Sequence, residues 1–92
     1  MRKVLKKWGW YKVLAKGDAF KVKLLYVKPF GKTSLQRHKH RSEIWIFLGS
    51  QKVKVAERHK WHQLNNPSNK GLSLIEVQIG ICQERDIERQ RK

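Results

Sequence analysis

The stretch Gln36-Arg37-His38-Lys39-His40-Arg41-Ser42-Glu43 decides how this chain is interpreted. A β-strand places every second side chain on one face, so Gln36, His38 and His40 share a face if this stretch is a strand. Two imidazoles followed by the Glu43 carboxylate offer the nitrogen and oxygen ligands that divalent metals take in proteins. The spacing therefore predicts a metal site on a strand that lines a pocket.

Two other interpretations of the same residues stay open. In the first, His38 and His40 are exposed partners of Glu43 in a basic hairpin. In the second, the histidines alternate with basic residues to form a phosphate-binding surface. A metal site needs a further ligand from outside the cluster, and the sequence offers His59 and His62.

The composition describes one small, strongly basic domain. The chain has 92 residues, with 22 Lys and Arg against 7 Asp and Glu, which gives a formal charge of +15. Such a charge attracts phosphorylated small molecules, nucleic acids or acidic polysaccharides, or only solubilises the surface. The single cysteine, Cys82, excludes an intrachain disulfide. No apolar run of membrane-spanning length and no signal peptide is recognisable, so we expect a cytoplasmic protein with no membrane partner.

The apolar pattern predicts an all-β fold. Residues 20–27 alternate and then become apolar on both faces, and residues 44–48 form a continuous apolar run that predicts a fully buried strand. The polar tail, residues 83–92, predicts a short helix or disorder. Short strands separated by turn-forming residues favour a small antiparallel barrel or sandwich. The predicted strands are 20–27, 34–40, 44–48, 52–55 and 72–79.

The segment from Pro29 to Trp45 resembles the first cupin motif. More narrowly, its part from Ser34 to Trp45 is similar to the cupin domain of type II mannose-6-phosphate isomerases, which is often the C-terminal part of a bifunctional enzyme with a mannose-1-phosphate guanylyltransferase. His62 and Asn66 match the second cupin motif in their spacing. The resemblance covers nearly the whole chain and implies a single cupin domain, residues 1–92. The other matching segments are 7–11, 20–23, 62–67, 74–80 and 84–89.

The chain departs from this family between Gly49 and His62, where it is shorter than the usual domain. The shorter connection predicts a truncated cupin barrel with an abbreviated wall. An open wall exposes sheet edges, which tend to pair with another chain. We therefore expect a homodimer that completes the barrel.

The resemblance also implies a set of functional residues. The divalent metal, which the sequence does not distinguish among Zn, Mn, Fe, Ni and Co, would be held by His38, Glu43 and His62 together with Gln36 or His40. The implied activity is the aldose–ketose isomerisation of a sugar phosphate such as mannose 6-phosphate. In that reaction Glu43 and Arg41 would be catalytic. Glu43 would be the base if it is not a metal ligand, and Glu76 is the other candidate base. Lys23, Arg41 and Arg89 would bind the phosphate.

Two other functions compete with an isomerase. One is a non-catalytic cupin that binds a carbohydrate or another polyanion. The other is a nucleic-acid binder, because residues 60–63, Lys-Trp-His-Gln, mix cations and an aromatic ring. No recognised nucleic-acid-binding motif accompanies that segment, so the sequence favours a sugar phosphate in polysaccharide precursor metabolism.

Overall fold

The described part of the chain consists of β-strands and connecting loops. The computed structural model describes residues 2–80 and 88–90. Within these residues it contains strands and no helix, which confirms the all-β prediction. The strands are β1 (Val4–Lys6), β2 (Gly9–Gly17), β3 (Phe20–Val27), β4 (Leu35–Arg37), β5 (Arg41–Phe47), β6 (Val53–Ala56), β7 (Leu72–Gly80) and β8 (Glu88–Gln90).

The strands form two layers. Six of them make an antiparallel sheet in the order β1-β2-β3-β7-β5-β6, and β4 pairs with β8 in a second, smaller sheet. The chain from residue 59 to residue 66 runs beside β4 and adds to this smaller layer. The hydrogen bonds that join them connect His62 with Gln36 in both directions, at 2.7 and 2.8 Å, and the Thr33 amide with the Leu64 carbonyl at 2.9 Å.

Two predicted segments differ from the structure. The strand predicted at 34–40 ends at Arg37, and the next three residues form a bend before β5 begins at Arg41. The tail was expected to be a short helix or disordered, and this is wrong for residues 88–90, which pair with β4 as a strand. Cys82 lies outside the described residues.

The core lies between the two layers. The side chains of the large sheet that face the small layer are buried, and those on the opposite face are half-buried or exposed. The prediction that 44–48 is a fully buried strand is therefore wrong, because a second layer covers only one face of the sheet. The buried apolar residues are Leu25, Val27, Trp45, Ala56, Leu64 and Leu74.

Asn66 fixes the end of the segment that carries His62. Its buried side-chain amide nitrogen donates to the carbonyl oxygens of Val27 and Lys28, both at 3.1 Å, and of Lys70 at 2.7 Å. Its side-chain oxygen accepts from the Ser68 amide at 3.2 Å and the Ser68 hydroxyl at 2.9 Å. One side chain thus joins the loop to the end of β3.

Gly9 permits the close approach of β2 to β3. It has a φ angle of 151°, and a Cβ at this position would collide with the Tyr26 carbonyl oxygen. Only glycine adopts this conformation without strain. None of the described residues forms a helix that is long and apolar enough to cross a membrane.

Candidate metal centre

Three potential metal ligands come from three different parts of the chain. Glu43 lies on β5 and faces inward, next to the buried Trp45. His38 follows β4, and its carbonyl accepts a hydrogen bond from the His59 amide at 2.8 Å. His62 lies on the segment that hydrogen-bonds to β4. The small layer therefore positions both imidazoles against one inward-facing position of the large sheet.

These three side chains are close enough to share one ion. His62 Nε2 lies 3.0 Å from Glu43 Oε1, and His38 Nε2 lies 3.5 Å from Glu43 Oε2. All the potential ligand atoms lie within 4.8 Å of one another. The two imidazole rings are 5.2 Å apart at their centroids. All three side chains are buried: His38 is 1% exposed, Glu43 3% and His62 8%.

The orientation of His62 suits metal binding through Nε2. Its Nδ1 lies 3.3 Å from the carbonyl oxygen of Lys60, to which an Nδ1–H donates. A backbone carbonyl that holds one ring nitrogen fixes the tautomer and leaves the other nitrogen directed at the ion. Trp45 contacts the same ring edge-on, with the centroids 5.4 Å apart, and so restricts its rotation.

Glu43 is a buried carboxylate that stays ionised. Burial alone raises its pKa, but the hydrogen bond with His62 and the charges of Arg41, His38 and His62 together lower the pKa below its ordinary value. Gln78 also donates to Glu43 Oε2 at 3.3 Å. A carboxylate held in this way is a good metal ligand and a poor proton acceptor.

Arg41 lies beside the same cluster. Its Nη2 is 3.2 Å from Glu43 Oε2 and 3.3 Å from His38 Nε2. A guanidinium group only donates hydrogen bonds, so His38 Nε2 is the acceptor in this contact. Arg41 is 3% exposed, and its Nε and Nη1 have no hydrogen-bond partner in the described part of the structure. Buried donors without a partner are costly, so these two N–H groups suit a ligand that bears acceptor oxygens.

A second buried carboxylate lies next to the first. Glu76 on β7 accepts hydrogen bonds from Trp45 Nε1 at 3.0 Å and from Gln78 Nε2 at 2.8 Å. Burial and the negative charge of Glu43 raise the pKa of Glu76 to about 7, against the opposing effects of Lys23, Gln78 and Trp45. Because Gln78 donates to both carboxylates, it links the two groups.

A cavity of about 370 Å³ opens above these residues. Five of its lining residues are cationic, whereas only Glu43 and Glu76 are acidic. Aromatic and apolar side chains, among them Trp8 and Tyr11, complete the wall. The cavity is therefore basic, and Glu43 and His62 of the His–Glu–His cluster form part of its wall. The cationic residues are Lys6, Lys7, Lys23, Lys32 and Arg41.

The other predicted site residues fall into different places. Gln36 lines the cavity and donates to the Ser34 hydroxyl at 2.8 Å. Lys23 also lines the cavity, and its Nζ lies 4.3 Å from the centre of the Tyr11 ring. His40 is exposed and lies outside the cluster, because β4 ends before it and the alternation of a strand no longer applies.

Two further predicted residues, His59 and Arg89, lie in a turn and on β8. His59 is exposed, in a turn with a φ angle of 65°. Arg89 lies on β8, where its backbone pairs with Gln36. Trp61, from the segment that raised the nucleic-acid interpretation, is 42% exposed and stacks under Arg37 at 4.7 Å.

Sequence analysis missed the three lysines at the mouth of the cavity and the link made by Gln78. Lys6, Lys7 and Lys32 are distant in sequence from the histidines and are three basic residues among many. The sequence does contain a signal for the link. Glu76 and Gln78 are two residues apart in an otherwise apolar strand, so they lie on the same face. Polar residues on one face of such a strand are typical of a functional face.

The two-layered β-fold and its inward-facing histidines define a cupin domain. Solved structures support this class, although their identity to the chain is low enough to show the fold alone. The capsular polysaccharide assembling protein CapF from Staphylococcus aureus matches with a TM-score of 0.83 and 11% identity, over 99% of this chain and 34% of CapF. The cupin domain of Schizosaccharomyces pombe Cnp3 matches with a TM-score of 0.78 and 10% identity, over 87% of this chain and 69% of Cnp3.

The chain belongs to the mannose-6-phosphate isomerase C-terminal family, whose sequence pattern matches residues 1–92. It is 35% identical to a mannose-1-phosphate guanylyltransferase of Sinorhizobium fredii, over 84% of the chain and 18% of that protein. It is 37% identical to the xanthan biosynthesis protein XanB of Xanthomonas campestris, over 86% of the chain and 20% of XanB. The chain thus spans about a fifth of the length of these relatives. The predicted family and cupin fold are confirmed.

The predicted isomerase activity is corrected by these comparisons. The curated relatives of the chain, in Sinorhizobium fredii and Escherichia coli among others, are named mannose-1-phosphate guanylyltransferases, which is a different class of reaction. Glu43, the predicted base, is held by Arg41 and both histidines, which lower its pKa and make it a weak proton acceptor.

Proposed function

We propose that this chain is a binding cupin that holds a divalent metal ion and a sugar phosphate in one cavity, within a protein of polysaccharide precursor metabolism. The observation that carries the proposal is the buried His38–Glu43–His62 cluster, because two of its members, Glu43 and His62, line a cavity that is also lined by five cations. The names of the relatives support the metabolic setting.

The residues present fit a divalent metal ion. Two imidazoles and one carboxylate from three protein side chains, with a position left open, are a common ligand set for such ions. Protein ligands at about 2.0–2.2 Å from an ion lie roughly 3–4 Å from each other, and the distances of 3.0 and 3.5 Å from Glu43 to the two histidines agree with this. Bound there, the ion would act as a Lewis acid that holds sugar oxygens.

Gln36 and His40 were alternatives for a further ligand. Gln36 lines the cavity and pairs with His62 through the backbone, so its amide is placed to orient a bound group or to support His62. His40 is exposed and lies outside the cluster. The proposal therefore assigns the metal to His38, Glu43 and His62, with Gln36 beside them.

The cations of the cavity fit a phosphate group. Arg41 offers two buried N–H groups that have no hydrogen-bond partner in the described residues, and a guanidinium binds phosphate oxygens through paired hydrogen bonds. Lys23 is a second buried cation on the same wall. The three lysines at the mouth are exposed and attract an anion into the cavity. We assign Arg41 and Lys23 to the phosphate.

The sugar-phosphate assignment is tested by calorimetric titration of the zinc-loaded protein with mannose 6-phosphate and with unphosphorylated mannose. We expect mannose 6-phosphate to bind and mannose to bind much more weakly. Arg41→Gln should weaken mannose 6-phosphate binding about tenfold or more, because it removes a charge-assisted phosphate contact. Arg58→Gln, which changes an exposed arginine in a turn, is the matched control and should leave binding unchanged.

Two results would contradict the assignment. Equal affinity for mannose and mannose 6-phosphate would show that the phosphate is not recognised. An equal loss of affinity in Arg41→Gln and Arg58→Gln would show that binding depends on the overall charge of +15 rather than on the cavity. Nucleic-acid and polyanion binding remain predictions, and an exposed Trp61–Arg37 stack is the feature that bears on them.

A further inference from the structure

The outer face of the six-stranded sheet, opposite the cavity, is apolar on four of its strands, although this face is not covered by another part of the described chain. Two rows of side chains cross strands β3, β7, β5 and β6 on the face opposite the cavity. An antiparallel sheet with one face in water normally carries polar residues there. The two rows, read across the paired strands, are Val22–Val77–Ile44–Val55 and Leu24–Ile75–Ile46–Val53.

This outer face carries no charge on those four strands. Its remaining positions there are Phe20, Tyr26, Ser42, Ser73 and Ile79, although 32% of the whole chain is charged. Several of its side chains are well exposed. Val53 is 61% exposed, Val55 57%, Ile79 49% and Phe20 43%. Continuous apolar patches of this kind on a protein surface mark an interaction site.

We infer that this outer face is a dimer interface, in which the sheets of two copies of the chain pack face to face. Two sheets stack at about 10 Å with their side chains interdigitated, as in a β-sandwich. Four strands spaced about 4.8 Å apart, each up to about 25 Å long, give a flat area of roughly 500 Å². The side-chain surface exceeds this flat area and approaches the roughly 800 Å² per partner of a stable complex.

The charges of the molecule favour this face over its edges. Each copy carries a formal charge of +15, so two copies repel wherever their basic surfaces meet. The outer face has no charge on its four strands, whereas the edge strands β1 and β6 and their flanks are rich in lysine. Lysines on an edge strand oppose pairing with another strand. A dimer through the face therefore fits better than the edge pairing expected from the shortened wall.

A second copy is the occupant that this surface best accommodates. The patch on these four strands is uncharged, so it offers no partner to a charged ligand or an acidic protein. A two-fold dimer would place the same patch on both copies, and apolar side chains of one copy would pack against those of the other. The cavity opens on the opposite side of the sheet, so such a dimer leaves both cavities accessible.

The inference is tested by sedimentation equilibrium of the full chain from about 1 to 100 µM. We expect a mass twice the 11.0 kDa of the chain. Val55→Lys should raise the dissociation constant of the dimer at least about tenfold, because it places a like charge in each half of the interface. Val55 is already 57% exposed, so lysine is compatible with folding there. Val77→Lys, in the centre of the sheet, should act at least as strongly.

The matched control is Asn69→Lys, which adds the same charge to an exposed loop and should leave the dimer intact. Circular dichroism checks that each variant is folded, and Val55→Lys alone decides the test if Val77→Lys fails to fold. A monomeric wild-type chain at 100 µM would overturn the inference. A dimer that is unaffected by Val55→Lys while the variant is folded would also overturn it.

Discussion

At the scale of single residues, the site is a group of buried charges that compensate one another. Glu43 is surrounded by Arg41, His38 and His62, at distances from 3.0 to 3.5 Å. Removing a charge from water is costly unless a partner of opposite charge or a hydrogen bond replaces the solvent. Arg41 supplies a cation, and His62 and Gln78 supply nitrogen donors, which explains how a carboxylate stays ionised inside a small domain.

Arg41 and a metal ion compete for the same atoms. Arg41 Nη2 donates to His38 Nε2, and a metal needs the lone pair of that nitrogen. Arg41 also adds a positive charge beside the ion. We therefore predict that Arg41→Gln strengthens zinc binding about threefold to tenfold, while it weakens binding of mannose 6-phosphate. Competition titrations with a zinc indicator measure the first effect. Weaker zinc binding in Arg41→Gln would show that Arg41 supports the metal site instead.

The raised pKa of Glu76 predicts a pH-dependent stability. The pKa is about 7 in the folded protein and 4.5 ordinarily, so the folded form holds this proton more tightly than the unfolded chain. Stability therefore falls as the pH rises from about 4.5 to 7 and is then constant. The lowered pKa of Glu43 acts in the opposite direction and at more acidic pH, because its contribution is lost as the pH falls through the folded value.

Glu76→Gln isolates the contribution of Glu76 to the pH dependence of stability, because glutamine has nearly the same size but does not titrate. The loss of unfolding free energy between pH 4.5 and 8 should be about 3 kcal/mol smaller in Glu76→Gln than in the wild type. Urea unfolding of both proteins in EDTA, repeated across this pH range, measures the difference. The other titrating groups are the same in the two proteins, so their contributions cancel. Parallel curves for the two proteins would show that Glu76 is not perturbed.

At the scale of elements, two of the three candidate metal ligands, His38 and His62, lie in irregular segments rather than in strands. His38 follows β4 and His62 lies in the segment that runs beside β4, and backbone hydrogen bonds of this segment to His38 and Gln36 bring both histidines to Glu43. The sequence predicted β3 with its observed bounds, because alternating β-branched and aromatic residues are bounded by turn-forming ones. It placed His40 in the site because it continued a strand that ends at Arg37. Such an ending depends on tertiary pairing, which a single sequence does not display.

Asn66 is the residue on which the position of this loop depends most. Asn66→Ala removes the donor shared by the carbonyls of Val27, Lys28 and Lys70 and leaves them buried or part-buried without it. We predict a loss of about 2–4 kcal/mol in the free energy of unfolding, measured with urea. Asn65→Ala, at the exposed neighbouring position, should cost less than about 0.5 kcal/mol. Equal losses in the two variants would show that the amide does not hold the loop.

At the scale of the whole molecule, one six-stranded sheet serves two different surfaces. Its inner face carries the charged cavity, and its outer face carries two uncharged apolar rows. The sequence interpretation took β3 and β5 as buried on both faces. That pattern was informative, because the outer face is apolar enough to be covered and is exposed in a single chain. An apolar face of a sheet can be covered by another part of the same chain or by a second molecule. Hydrophobic periodicity alone does not distinguish these two cases.

The sequence predicted some features of the whole molecule and did not predict others. Motif spacing identified the family and the fold, and it named His38, Glu43 and His62. It did not predict the cationic mouth, because Lys6, Lys7 and Lys32 come together only in three dimensions. The isomerase activity taken from the resemblance was wrong, because relatives of the chain are named mannose-1-phosphate guanylyltransferases, and the chain spans only about a fifth of their length.

The metal content of the purified protein is the most direct test of the central claim. After loading with zinc and dialysis, elemental analysis should give about one equivalent in the wild type and almost none in the His38→Ala, His62→Ala double variant. His40→Ala, which changes an exposed histidine outside the cluster, is the control and should keep the full content. An equal metal content in the wild type and a folded double variant would contradict the claim that these two histidines hold the ion.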